Sequence, residues 1–565
     1  MKPVLCRLTL LLVLTVAAVA QPTVPQNATV NAASYAPPGL PNSSIAQGSI
    51  FTIFGLNMGP SSSPPLSYPL QTSLGGVSVK VTSGGTTVNA IPVFVSPGQI
   101  NAILPGNTPV GTASFTVSYN GTSAASSFQV VASSFGVFTV NSAGNGPGVI
   151  TDANYQIYGA STSANAGDVS ILWGTGLGAS AGDDGSAPPK QIDMPNLPLT
   201  LYVGLQKATV LYRGRASSTG EDQINFQVPA NVTGCHVPVM VQIGDIVSNF
   251  VTMPIATGGR VCSDPAGPSA TDLSKFLQQG NVNLGYIGLN RSTTTSPGLP
   301  PPIGTGQSTT TTTDSGSAVF EKYTAQQISF AQNPFQTYTI GSCVVVAFGG
   351  ASAIVIDPIK PVGLDAGNAI TVTGPHGAKQ LTMSSSGGKG FYSASLGGGS
   401  GMNAQPLYLD AGSYTVTGPG GADVVSFSKN LNVPQPLTWT NMDSVNTVAR
   451  ASGQDVTWSG GDPSGTVSIT GTSFKIGSNP NGSDTVGAIF TCTAPVSAGH
   501  FTIPSPVLLS LPASTVISPI PGVSISTSTM AVGTISATTI DPPPSTLNIA
   551  SVTVSVTSGK NVTYQ

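Results

Sequence analysis

The sequence predicts an all-β protein built of tandem immunoglobulin-like β-sandwiches, and three observations carry that prediction. The 565 residues include 68 Gly and 47 Pro, which leaves little room for long helices. Between these breakers lie short runs of Val, Ile, Thr and Ser, the residue mix of strands and turns, whereas Glu occurs only at Glu221 and Glu321. Finally, segments recur in the same order. Gly48 to Gly59, Leu74 to Val81 and Gln99 to Pro105 are answered by Gly167 to Gly178, Leu199 to Val203 and Gln223 to Pro229. Subtraction gives an offset of 119 from Gly48 to Gly167 and of 124 from Gln99 to Gln223, the mark of a duplicated domain whose loops differ in length.

Residues 1–20 read as a signal peptide. Lys2 and Arg7 precede an apolar run from Leu8 to Ala20 that closes on Ala18-Val19-Ala20, and the run is too short to span a bilayer comfortably. Cys6 leaves with it, and no stable transmembrane segment is expected after processing. Residues 28–136 and 137–258 are the two copies. In Ile50-Phe51-Thr52-Ile53-Phe54 and Val169-Ser170-Ile171-Leu172-Trp173, apolar and β-branched residues make short strands, each stopped by Gly55 or Gly174 before a turn that ends at Gly59 or Gly178. Val77, Val79 and Val81 alternate with Ser78 and Lys80, the period of a half-buried strand.

Asn31-Ala-Ala-Ser-Tyr35, the Gly-rich turn from Gly55 to Pro60, Val95-Ser-Pro-Gly-Gln-Ile-Asn101 and Phe135-Gly-Val-Phe138 together resemble the repeated domain of uncharacterised exported proteins from acidobacteria such as Solibacter. That domain is similar to the IPT/TIG branch of immunoglobulin-like folds. The resemblance covers about residues 28 to 258, with Gln-Ile-Asn its most specific part, and the second copy departs from it by carrying Ser-Ser-Thr-Gly-Glu-Asp before Gln223. It implies secretion and an Ig-like fold and no established activity.

Residues 264–434 read as a third β-sandwich. Leu273, Phe276 and Leu277 stand at helical spacing before Gly280, so one short helix is expected. Strands at Val282 to Leu289 and Ala318 to Tyr323 flank residues 292–317, a Thr, Ser, Pro and Gly tract read as a low-complexity loop or linker too polar to bury. Residues 435–565 read as a fourth sandwich, with strands around Trp458, Ile469, Cys492 and Phe501, and with Val516 to Gln565 supplying edge strands.

Composition limits the chemistry. Charged residues are 7% of the chain, and 18 Lys plus Arg against 21 Asp plus Glu supply no basic surface for nucleic acid. Cys235, Cys262, Cys343 and Cys492 remain after processing, an even number that favours disulfides in an exported chain. Cys235 with Cys262 is the expected bridge and Cys343 with Cys492 follows by elimination, with two buried free thiols as the alternative. His236, His376 and His500 lie in no metal-ligand spacing, so structural or surface roles are expected and no metal or cofactor is implied. The acidic loops at Gly182-Asp-Asp-Gly185 and Asp462 to Asp484 lack the alternate spacing of a Ca²⁺ loop, and Glu221 and Asp222 would point to opposite faces of a strand.

Gln99, Asn101, Gln223 and Asn225 suit sugar binding, but a repeated amide is expected to satisfy backbone groups of a neighbouring loop, so Gly55, Gly59, Gly174, Gly178 and these four read as structural. Trp173 reads as core, whereas Trp439 or Trp458 could stack on a sugar. The functional expectation is a secreted or cell-surface, non-catalytic binding or structural protein, in adhesion or matrix recognition, with extracellular polysaccharide or a surface protein as partner. The alternative is a carbohydrate-binding accessory of a secreted enzyme system.

Overall fold

Alternation of valine with polar residues settles the first copy. Along Val77–Ser83 the valines are fully buried while Lys80 is exposed, so one side of the strand faces a core. A computed structural model describes residues 21–182, 184–185, 191–264, 267–298, 304, 306–331, 333–334, 339–349, 360–385, 387–400, 404–477, 484–518, 525–541 and 543–565. The expected signal peptide lies outside them. In the first copy Ile50–Phe54 is paired between Thr29–Asn31 and Gln99–Ile103. Thr86–Val95 pairs with Gln99–Ile103 at one end and with Val77–Ser83 at the other, so one strand passes from the first sheet into the second. Gly111–Tyr119 and Thr122–Val131 complete that second sheet, and Phe51, Ile53, Val79, Ile100 and Phe115 fill the core.

The second copy has two separate sheets. Val169–Thr175, Asp222–Gln227 and Thr209–Arg215 are neighbours in one, and Leu199–Val203, Gly234–Ile243 and Val251–Ala256 in the other. Leu172, Ile224, Phe226, Val239 and Met253 pack into a single core. The fold is therefore all-β, with tandem Ig-like sandwiches. The copies touch through hydrogen bonds: Ile50 N donates to Thr175 Oγ1 at 2.9 Å, and Asn31 Nδ2, which also donates to the Ser134 carbonyl of its own copy, donates to the Thr175 carbonyl at 3.1 Å.

Beyond residue 264, one thirteen-stranded sheet runs through both remaining segments. Its centre is a parallel pair, Asn281–Ser296 with Ile549–Asn561, from Leu284 opposite Ile549 to Thr295 opposite Lys560. To one side lie Thr309–Thr324 and Phe391–Gly399, and to the other Thr529–Thr539, Thr466–Lys475, Val486–Pro495 and Cys343–Gly349. Val552 and Val554 face one core with Ile287, Phe320, Tyr392 and Tyr414, while Val532 and Met530, at same-face register positions on the next strand, enter another with Phe490, Trp439 and Trp458. Both cores therefore lie on the same side of the sheet.

Two expectations are corrected here. The strands expected at the sheet edge from Val516 onward include Thr529–Thr539 and Ile549–Asn561, which lie in its interior. The 292–317 tract is not a loop throughout, because Asn281–Ser296 and Thr309–Thr324 form a hairpin sixteen residues deep on each strand. Threonine supports this without burial. Its β-branch favours extended backbone, and the hydroxyls of Thr293 and Thr312, and of Thr295 and Thr310, hydrogen-bond across the strands at 3.0 and 3.2 Å.

The expected short helix is present at Ala270–Gln278. Ser269 caps it through Asp272 N, and Leu273 is buried. Ala325–Phe330 and Ser505–Leu509 add two helical turns that the sequence reading did not anticipate. Both disulfides form, which removes the free-thiol alternative. Cys235–Cys262 packs beside the helix with Leu273 and Tyr286, and Cys343–Cys492 joins residues directly opposite each other on paired strands.

Candidate functional site

Each copy places the same four-part arrangement on the outer face of the sheet that carries its Gln-x-Asn strand. Because side chains two apart on a strand share a face, Gln99 and Asn101 lie side by side, as do Gln223 and Asn225. Gln99 Nε2 donates to Asn101 Oδ1 at 2.8 Å, and Gln223 Nε2 to Asn225 Oδ1 at 2.7 Å. The amides therefore bind each other and not, as expected, the backbone of a neighbouring loop. Thr52 Oγ1 also donates to Asn101 Oδ1 at 3.0 Å, and Gln191 Nε2 donates to Gln223 Oε1 at 2.8 Å. This chain of donors fixes the orientation of each carboxamide and leaves Asn101 Nδ2 and Asn225 Nδ2 as donors, and Gln99 Oε1 as an acceptor, without a partner among the described residues.

Aromatic rings flank the amides. Phe54 is the cross-strand partner of Gln99, and Trp173 of Gln223. A tyrosine lies over each: Tyr35 on Phe54 with ring centroids 6.3 Å apart, and Tyr155 on Trp173 at 6.0 Å. Both tyrosines hold left-handed backbone, φ 49° and 63°, a conformation rare for bulky residues. The preceding turn imposes it. Asn31 Oδ1 accepts from Ala33 N and Ser34 N, Asp152 Oδ1 accepts from Asn154 N and Gln156 N, and each tyrosine N donates back to the carbonyl of that Asn or Asp.

On the other flank a β-bulge recurs, between Pro92 and Phe94 in the first copy and between Val210 and Tyr212 in the second. It sets Phe94 opposite Asn101 and Tyr212 opposite Asn225, the re-aiming that bulges perform beside functional surfaces. Burial, then the Asp193 and Asp222 charges, push the Tyr212 phenol up to about 12, so it stays neutral. The two faces differ in openness. Tyr155 is 60% exposed in the second copy, whereas Tyr35 is half-buried.

The sequence reading named Asn31 to Tyr35 but missed its counterpart, Asp152-Ala-Asn-Tyr155. The signal was present, since Asn31 to Asp152 is an offset of 121 and Tyr35 to Tyr155 of 120, within a residue or two of the repeat spacing. The motif glycines are sites of close backbone approach. A side chain at Gly55 would collide with the Thr23 carbonyl, one at Gly174 with that of Gly136, one at Gly59 with Ser96, and Gly178 holds φ +127° against Ala132.

Asp222 is fully buried beneath that second turn. Its Oδ2 accepts from Gly176 N and Leu177 N at 2.7 Å each, and Oδ1 lies 2.7 Å from Arg215 Nη1. Burial raises its carboxyl above the usual range against the opposing pull of Arg215 and the two amides. Arg215 in turn donates to the Gly178 carbonyl, so the Ser-Ser-Thr-Gly-Glu-Asp departure installs an ion pair that holds the turn.

The other singled-out residues take separate places. Trp439 and Trp458, directly opposite each other, are 4% and 5% exposed with their Nε1 groups bonded inside, so neither can stack on a sugar; Trp173, expected in the core, is the half-exposed one. His376 Nε2 lies 2.8 Å from Asp410, which accepts from Arg291, whose guanidinium also donates to the buried Asp314. His236 stands 3.7 Å from Asp264, and His500 is exposed. Asp183 lies outside the described residues, Asp184 accepts from Gly106 N, and Asp462 caps its own turn at Ser464. Among the described residues no group of three or more His, Cys, Asp or Glu is arranged to hold a metal, and no helix is long and apolar enough to cross a membrane.

No protein family and no curated protein matches the sequence. Among solved structures the chain is similar to the plexin A4 extracellular region, at 14% identity over 40% of this chain with a TM-score of 0.15, and it spans 17% of that protein. It is also similar to SGBP-B from a complex xyloglucan utilization locus in Bacteroides uniformis, at 11% identity over 67% of this chain and 86% of that one, TM-score 0.18. A third likeness is to domains 5-6 of the S-layer protein SbsC, at 12% identity over 42% and 99%, TM-score 0.15.

Proposed function

We propose that this chain is an exported, non-catalytic binding protein of the cell surface or medium, whose repeated sheet faces recognise the hydroxyl groups of extracellular saccharide. The duplicated face carries the reading: two carboxamides held in fixed orientation between aromatic rings, present twice. In the first copy the Asn101 donor beside the Gln99 acceptor matches a pair of neighbouring sugar hydroxyls. In the second, buried Gln223 is engaged by Gln191, and Asn225 Nδ2 is the donor presented. In both, the ring faces match the C–H faces of a pyranose. Two disulfides fit an oxidising compartment outside the cytoplasm. The resemblance of residues 28 to 258 to exported IPT/TIG-like repeats supports the same compartment. A role in adhesion or matrix recognition, or as accessory to a secreted enzyme system, would follow from which saccharide is held.

The test is calorimetric titration of the full chain with a panel of neutral oligosaccharides. Binding should weaken about tenfold in Asn225→Ala and fall further in the Asn101→Ala/Asn225→Ala double variant, consistent with roughly 1–1.5 kcal/mol per lost hydrogen bond. A chain that holds no neutral saccharide, or a double variant that binds as well as the parent, would overturn the reading.

A further inference from the structure

A groove with a cavity volume of about 290 Å³ opens outside the two copies, where the end of the helix Ala270–Gln278 meets the start of the central hairpin and the loop Ser545–Asn548. Its lining includes Gln279, Asn281, Asn283, Lys322, Thr546 and Asn548. The walls are cross-tied. Asn548 Oδ1 accepts from Asn283 N at 2.7 Å, Asn548 N donates to the Asn283 carbonyl at 2.8 Å, Asn283 Nδ2 donates to the Thr546 carbonyl at 2.8 Å, and Asn548 Nδ2 donates to Gln279 Oε1 at 3.2 Å. These bonds leave several donors open and one buried acceptor, Asn283 Oδ1, which has no partner among the described residues. Gln279 Nε2, the Asn281 carboxamide and the exposed Lys322 ammonium have no partner among the described residues. No carboxylate lines the groove. Leu547, nearly buried in the core beneath, supplies an apolar contact.

We propose that this groove binds the carboxylate-bearing sugar of an acidic polysaccharide, a uronic-acid residue, with Lys322 facing the carboxylate and the amides of Gln279 and Asn281 reaching the carboxylate or the hydroxyls beside it. A lone cation among amide donors, with no acid to neutralise it, selects an anion that also carries hydroxyls, and the volume suits one ring and not an extended chain. The proposal rests on the saccharide reading only for the class of ligand; it uses a different part of the molecule and a different charge.

The full chain is titrated with trigalacturonate, with its uncharged galactose counterpart and with free galacturonate, at low and at physiological salt. Trigalacturonate should bind at least about tenfold more tightly than the neutral trimer, and the preference should shrink with salt. Lys322→Gln should remove the preference while leaving the melting temperature unchanged, and Asn225→Ala should leave it intact. Equal affinity for acidic and neutral trimers, or an unchanged preference in Lys322→Gln, would overturn the assignment. Because the groove holds one ring, free galacturonate should bind within a few-fold of the trimer, and a monomer that fails to bind would overturn the single-ring assignment. Failure of the repeated faces would appear separately, as loss of neutral oligosaccharide binding with the acidic preference retained.

Discussion

The two halves of the molecule reach the same fold class by opposite routes. In the repeated pair, each sandwich draws its strands from its own stretch of roughly a hundred residues, and the copies meet through hydrogen bonds around Thr175, the Gly106–Asp184 bond and a small apolar cluster that sets Phe138 against Ile50 and Ile103. In the second half, Asn283 and Asn548 are bonded across a separation of 265 residues, and a single sheet serves two cores on one of its faces. The contrast teaches that similar strand composition can give modular sandwiches or a continuous sheet, depending on whether the strand beside a long hairpin comes from nearby or from the far end of the chain.

The sharpest way to break this contrast is to place a charge on the shared strand. Val552→Asp would bury an uncompensated carboxylate where the native side chain is 1% exposed, costing more than about 4 kcal/mol. Hydrogen exchange should then show protection lost across both cores of the second half and retained in residues 28–136, while the second copy, whose Met240, Val247 and Phe250 pack into one of those cores, should lose protection only at that contact. The matching change Val79→Asp in the first copy should strip protection from that copy and spare the second half.

Next in size is the Cys343–Cys492 bridge, which closes a loop of 149 residues. In the chain-entropy account its removal as a Cys343→Ala/Cys492→Ala pair lowers stability by about 5 kcal/mol or less, read by denaturant unfolding of the second half. The 27-residue Cys235–Cys262 loop should count for about 3.5 kcal/mol. In the repeated pair, Asp222→Ala strands the Arg215 charge and should cost about 3–5 kcal/mol, with an Arg215→Met/Asp222→Leu pair recovering most of it. An effect of Asp222→Ala that spread to the second half would contradict the modular picture.

The smallest effect is set by acid. Hydrogen bonds from His376 and then Arg291 hold the Asp410 carboxyl below its ordinary value, and at Asp314 burial opposes ionisation but Arg291 and the Leu409 and Tyr408 amides outweigh it. Depressed carboxyls stabilise fully above their ordinary value, and that stabilisation drains as pH falls through the lowered one. The second half should therefore lose stability below about pH 4, and Asp410→Asn should reduce that loss. Since Asp410 is half exposed, the change should stay under about 1 kcal/mol, measured as melting temperature against pH.

What the sequence made legible follows the same divide. Valine alternation, glycine stops and the repeat offsets exposed the two copies because their pairings are local. The Gln-x-Asn elements were visible too, but their role depends on neighbours across the sheet: Trp173 read as core because an apolar run hides which residue faces out, and Tyr155 went unnoticed because its turn begins with Asp where the first copy has Asn. The Thr-rich tract misled because polarity was read as disorder, although a β-branched hydroxyl residue can pair across strands without being buried. The parallel pairing of Ile549–Asn561 left no local trace, since register between distant strands is chosen by the whole sheet. The groove was invisible for the same reason, its walls lying more than 200 residues apart in the chain.

During synthesis the hairpin of residues 281–324 leaves the ribosome long before either neighbour exists. One flank waits for residue 391 and the other for residue 549, so for most of that interval two rows of backbone donors and acceptors stand open to any passing strand. Its threonine-rich outer length offers little apolar surface for a mistaken partner to grip. The strand Ile549–Asn561 is thus the latch of the whole second half, whose folding waits on the synthesis of that strand rather than on local collapse.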